Sequence, residues 1–279
     1  MTRVSTGKQV PRNAGPGVPA GAVAGARIDA FLSLNGNECK ILGLVLLLVG
    51  VLRVNLINVP YERDEGAYIY SGKMVNEGQL PYRDFYEDKP PGNIYFYALM
   101  VRAFGPSLGN MHGGFMLLNM VTLVVLYLAA RKLFGPLSAI LSSLSFATLS
   151  LSPPMSGFTC MSEHAVMFFL SLGILAMFFS RGGPGFYGAL AAGAALSMAV
   201  WIKQNAVFFL LWGGLFSLLS GRGRRLRAGA GFLTGAVVVS AAFLWKMWSL
   251  GVFGQFWFSA VELPGVFVKN TPDLSQVKQ

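Results

Sequence analysis

The sequence predicts an all-α, polytopic membrane protein of about seven transmembrane helices, with short interfacial helices in its first extracytoplasmic loop. Three observations predict it. Hydrophobic residues make up 54% of the chain and charged ones only 12%, against roughly 25% charged in soluble domains. Apolar runs near the roughly 20 residues that cross a hydrocarbon core recur at 41–59, 111–130, 133–151, 165–180, 186–201, 206–219 and 228–250. Basic residues collect in alternate connections between those runs.

Taken in order, residues 1–37 form a Gly-, Ala- and Pro-rich flexible tail. No compact apolar core follows its first basic residues, so it does not read as a signal peptide. The membrane domain is expected over 38–250, with its first outer loop at 60–92, and 251–279 form a C-terminal segment. Arg3, Lys8, Arg12, Arg27 and Lys40 precede the first run, Arg131 and Lys132 follow the second, Arg181 the fourth, and Arg222, Arg224, Arg225 and Arg227 the sixth. All fall on one side of a seven-span chain, so that side is cytoplasmic by the positive-inside rule. The net charge of +10 is therefore a topology signal. The RGRRLR cluster is a short inter-helix loop, which argues against nucleic acid as a partner. Between the fifth and sixth runs, Lys203, Gln204 and Asn205 mark a break.

The other face gathers the acids. Glu62, Asp64, Glu65, Glu77, Asp84, Glu87 and Asp88 all lie within the 60–92 loop. In it, GAYIYSGKMVNEG (66–78) has the spacing of a surface helix, with Ala67, Tyr70 and Met74 on one face and Gly78 as its stop. Asp64 is then its N-cap, so capping and catalysis are both open for this residue. Glu65 is open between a dipole partner and a catalyst. The loop ends in DKPPG, where Pro90 and Pro91 fix the chain's direction and leave Lys89 at headgroup height, open to mere snorkelling. Arg53 is expected to snorkel or to pair with loop acids. Glu163 and His164 open the fourth run and Lys203 closes the fifth, so acids and cations from separate loops meet at one interface. Glu163 is open between dipole complement and catalyst, and His164 is expected to be polar packing. Cys39 and Cys160 lie at opposite ends of their spans and do not pair, and no zinc-site spacing is present. Glu62, Glu77, Asp84, Glu87 and Asp88 are expected mainly as solvated surface, with Asp84 or Glu87 open to assisting a divalent cation.

An apolar span, then DE with a tyrosine and small residues, then GQLPYRDFYEDKPPG and many short spans, resembles the GT-C superfamily of polyprenyl-phosphate-sugar-dependent glycosyltransferases. The nearest branch in appearance is that of the protein O-mannosyltransferases, aminoarabinose transferases and RgtA/B/C/D-like proteins, over about residues 53–219. The resemblance implies catalytic roles for Asp64, with Glu65 beside it, and for Glu163. It implies donor-phosphate roles for Lys89 of the KPP turn and for Lys203, with Arg63 beside Asp64. It leaves metal use open.

The implied reaction moves a sugar from a polyprenyl-phosphate donor to an extracytoplasmic acceptor hydroxyl. A carboxylate takes the acceptor proton and cations offset the charge on the departing phosphate. The implied setting is the inner (plasma) membrane, with the N-terminus cytoplasmic. The chain looks C-terminally short beside the family, which keeps a second reading open, an inactive relative acting as a partner subunit. A transporter is a third. It would bury ionisable residues at mid-membrane, whereas the runs here keep their charges near the ends.

Overall fold

In the computed structural model, residues 34–152, 156–179, 184–220, 225–263 and 265 are described. The tail to residue 33, Arg181, Arg222, Arg224 and the chain from 266 onward lie outside them. The chain divides into two compact units, 1–43 and 44–279.

Of the first unit, the described part is the start of helix α1 (Gly36–Val54). The Asn35 side chain accepts from the Glu38 N–H at 2.8 Å and the Asn35 N–H donates to Glu38 Oε2 at 2.8 Å. This reciprocal capping satisfies two donors that a helix start otherwise leaves unpaired.

In the second unit the rest of α1 is followed by α2 (Arg63–Asn76), α3 (Pro91–Phe104), α4 (Leu108–Phe134), α5 (Pro136–Leu149), α6 (Ser162–Phe178) and α7 (Phe186–Ile202). A 3-10 turn at Gln204–Ala206 leads into α8 (Val207–Ser220), then come α9 (Arg225–Ser249) and a short α10 (Phe253–Trp257). The only strand-like feature among the described residues is a single bridge between Pro81 and Phe85. The fold is all-α. Helices α4 and α9 are long and apolar enough to cross a membrane, and α5 to α8 are shorter apolar helices. Leu44, Leu47 and Val51 on α1, Leu211 and Leu215 on α8, and Val237, Val238 and Trp245 on α9 lie exposed, the faces expected where the solvent is lipid.

The apolar runs become helices because each has local stops. Gly135 ends α4 with φ of +94°, a conformation that costs glycine little, and Pro136 starts α5 where its missing N–H matters least. The break expected at Lys203–Asn205 is present: Lys203 is extended and the 3-10 turn follows. Helix α1 ends at Val54, short of the 59 read from hydropathy, because 55–58 turn back on Arg53 and Val54 through Leu56 N–H and Ile57 N–H.

The tightest packing is between α7 and α9. Gly193 lies where a Cβ would come within 2.0 Å of the Phe232 carbonyl oxygen, and Gly235 where one would come within 2.0 Å of that of Leu190. Lipid supplies no hydrophobic drive between helices, so close backbone approach over small residues holds such pairs. Around this seam Leu170, Met177, Ala189, Ala192, Leu196 and Phe232 form a core.

Several of the described connections come together. Arg53 donates to the carbonyls of Ser150 at 2.5 Å and Gly157 at 2.7 Å, tying the end of α1 to the end of α5. A Cβ on Gly92, at the start of α3, would meet the Trp201 carbonyl of α7 at 2.5 Å. Gln204 donates to the Ala260 carbonyl at 3.2 Å. Arg53 thus neither snorkels nor pairs with loop acids: it is buried, and it serves carbonyls left over at a helix end.

Candidate active site

The start of α2 corrects the expected role of Asp64. Glu62, not Asp64, is the N-cap: its carboxylate accepts the Asp64 N–H at 2.8 Å, while Glu65 Oε2 accepts the Glu62 N–H at 3.1 Å. The two glutamates three residues apart close a capping box. Asp64 keeps its own carboxylate for other work, paired with Arg63 Nε at 3.2 Å, its side chain 39% exposed and that of Arg63 90% exposed. The buried stripe of α2 is Glu65, Tyr68, Ile69 and Gly72 with Met74, so of the expected Ala67, Tyr70 and Met74 face only Met74 is buried. Gly78 does stop the helix, at φ of +88°.

Glu65 is fully buried. Its Oε1 accepts the Cys160 N–H at 2.8 Å and lies 2.7 Å from His112 Nε2, while His112 Nδ1 faces the Ile57 carbonyl at 2.8 Å. A carbonyl only accepts, so Nδ1 carries a proton, and Nε2 shares another with the Glu65 carboxylate. Burial alone would raise the Glu65 pKa, but the hydrogen bonds from His112 and Cys160 outweigh it and hold the carboxyl below its ordinary range. Glu65 therefore binds three segments together: α2, the start of α4, and the turn before α6. The Tyr97 hydroxyl donates to the Cys160 carbonyl and the Tyr61 ring stands edge-on to His112.

The charges of several remaining candidates reach Tyr68. Its hydroxyl is pushed up first by burial and then by the charges of Asp64, Glu163, Glu87 and Asp88, so carboxylates from α2, the 80s loop and α6 all act on one phenol. Lys89 Nζ lies 6.0 Å from the Tyr68 ring centroid and 3.0 Å from Asp88. Glu87 is buried rather than solvated, and accepts from Ser71 Oγ at 2.8 Å and from the Asp88 and Lys89 N–H groups at 3.1 Å. It thereby fixes the backbone that carries Lys89, as does the Tyr82 hydroxyl donating to the Lys89 carbonyl at 2.7 Å. Glu163, in the first turn of α6, is ion-paired with Lys203. His164 is buried against Phe115, as polar packing.

The sequence profile of the dolichyl-phosphate-mannose-protein mannosyltransferase family matches residues 88–248, more than half of the chain. The chain belongs to this family. It is a membrane protein and a glycosyltransferase of the GT-C type. Neither curated protein sequences nor solved structures give a match. The family's match takes in Lys89, Glu163 and Lys203 and begins after Arg63, Asp64 and Glu65.

Two residues of this cluster are not singled out in the sequence. Tyr68 lies in the DE-tyrosine motif but its neighbours come from distant loops, and His112 carries no local motif and is 47 residues from the carboxylate that it meets. The cap was legible, since Glu62 stands three residues before Glu65. Asp84 is held by Arg83 at 2.8 Å and by the Leu80 N–H at 2.8 Å. Among the described residues, one trio of His, Cys and acidic side chains brings its ligand atoms together: Glu65, His112 and Cys160.

Proposed function

We propose that the chain transfers a sugar from a polyprenyl-phosphate donor to an acceptor hydroxyl on the extracytoplasmic side of the inner (plasma) membrane. The observation that supports this reading is that Asp64, half-exposed and paired among the described residues only with the solvent-exposed Arg63, Lys89 and the Glu163–Lys203 pair come from separate segments whose charges reach Tyr68. The seven crossings expected from the sequence, with Arg131, Lys132, Arg225 and Arg227 on the cytoplasmic side, would put these segments outside. They would face donors whose phosphate sits at headgroup height.

In the reaction, the acceptor oxygen bonds to the anomeric carbon as the bond from that carbon to the phosphate oxygen breaks. The bonding pair leaves with the lipid phosphate. Asp64 takes the acceptor proton as general base. Lys89 and Lys203 each hold one carboxylate, and an ammonium has three donors, so each retains capacity for phosphate oxygens, with Arg63 adding charge from the surface. Such fixed cations stabilise the charge that develops on the leaving group. Glu65 and Glu87 hold the backbone around these groups. Glu163 sets the position of Lys203.

The test is label transfer by the purified chain in lipid, offered a panel of polyprenyl-phosphate sugars with lipid, glycan and peptide acceptors. We expect release of polyprenyl phosphate with transfer from at least one donor. A folded chain that consumes none of them overturns the reading.

A further inference from the structure

Glu65 on α2, His112 on α4 and Cys160 before α6 have ligand atoms within 4.8 Å of one another, and all three residues are buried. Each is also anchored through another atom. His112 Nδ1 is directed to the Ile57 carbonyl, which aims Nε2 inward. Glu65 Oε2 is held by the Glu62 N–H. The Cys160 backbone is held on both sides, its N–H on Glu65 and its carbonyl under the Tyr97 hydroxyl. Outer hydrogen bonds that fix a histidine's tautomer and a carboxylate's orientation are what metal ligands require.

We propose that this trio binds one divalent cation of the zinc class. An imidazole nitrogen, a thiolate and a carboxylate oxygen suit zinc, and the nitrogen and sulfur disfavour magnesium or calcium. Tetrahedral bonds of about 2.0–2.3 Å put ligand atoms roughly 3.3–3.7 Å apart, inside the observed 4.8 Å limit. The Glu65–His112 contact of 2.7 Å opens by about half an ångström to admit the ion. Charge balances: carboxylate, imidazolium and thiol sum to zero, and so do carboxylate, imidazole, thiolate and a dication. The Nε2 proton and the thiol proton leave as the two metal bonds form. Because the trio is buried, the cation acts as a clasp across α2, α4 and the turn before α6, next to Asp64. Binding of the cation does not depend on the transfer reaction, and its test needs no activity.

The test is titration of the full chain, tag removed, stripped with chelator and held in lipid, using Co²⁺ as the probe and Zn²⁺ as competitor. We expect one equivalent of Co²⁺, with thiolate-to-cobalt charge-transfer absorption and tetrahedral visible bands, displaced by Zn²⁺. Cys39→Ser should leave this unchanged, since Cys39 is exposed. Loss of an outer-shell partner alone costs about 10–100-fold in affinity, so Cys160→Ser should weaken binding at least about 100-fold and abolish the charge-transfer band. Failure of wild-type protein to bind one equivalent, or a charge-transfer band that survives in Cys160→Ser, overturns the proposal. The wild-type result decides the matter even if the variant does not fold.

Discussion

Glu62, Asp64 and Glu65 are three carboxylates within four residues, and the fold gives each a different task. Glu62 caps α2, Glu65 is sealed inside with His112, and Asp64 faces outward beside Arg63. Removing one partner of a buried ion pair leaves the other charged and unsatisfied, at a cost of about 3–5 kcal/mol. Glu65→Ala should therefore lower unfolding stability by about that amount in detergent or lipid, with Glu65→Gln milder. Chemical denaturation of each variant checks this. The sign with pH follows from the depressed Glu65 pKa: its contribution is present above the unfolded-state value and is lost as pH falls through the folded-state value. At this scale the sequence showed the DE pair and the KPP lysine but misplaced the cap on Asp64. It also left Glu87 on the surface, because burial of an acid depends on partners such as Ser71 that chain order does not display.

Between elements, the seam of α7 and α9 sets how firmly the platform under the site is held. Alanine at Gly235 would force its methyl group into the Leu190 carbonyl, so Gly235→Ala should destabilise the protein by about 1–3 kcal/mol. Gly113, within α4, has open space where a Cβ would stand, with nothing within 4 Å. Gly113→Ala should instead gain about 0.5–1 kcal/mol from helix propensity. Thermal melts of the two variants side by side test the seam, and a loss no larger at Gly235 than at Gly113 would contradict it. Helix positions were largely legible, since α4 to α9 follow their apolar runs to within a few residues. The turn after Val54 was not, because its residues are apolar too and only backbone hydrogen bonds separate it from α1. Which helices touch was not legible either, since small residues mark a face for close packing without naming its partner.

At the scale of the whole molecule, segments from residues 53 to 260 come together, and the chemistry follows from that convergence. The alternation of basic loops sets an expectation of which loops share a side. The meeting of Glu65 with His112 and Cys160 needed the packed structure, because it joins residues tens of positions apart. The central claim is that Asp64 is the base and Glu65 its support. The most direct measurement is sugar transfer by Asp64→Asn and Glu65→Gln compared with wild type, beside the unfolding of each. Glu62 supplies the cap, so Asp64→Asn should leave the melting temperature nearly unchanged while removing the base, with turnover falling by at least about a hundredfold. Glu65→Gln should lose stability and a smaller share of turnover. Near-normal transfer by well-folded Asp64→Asn protein would contradict the account and move the search for the base to Glu163.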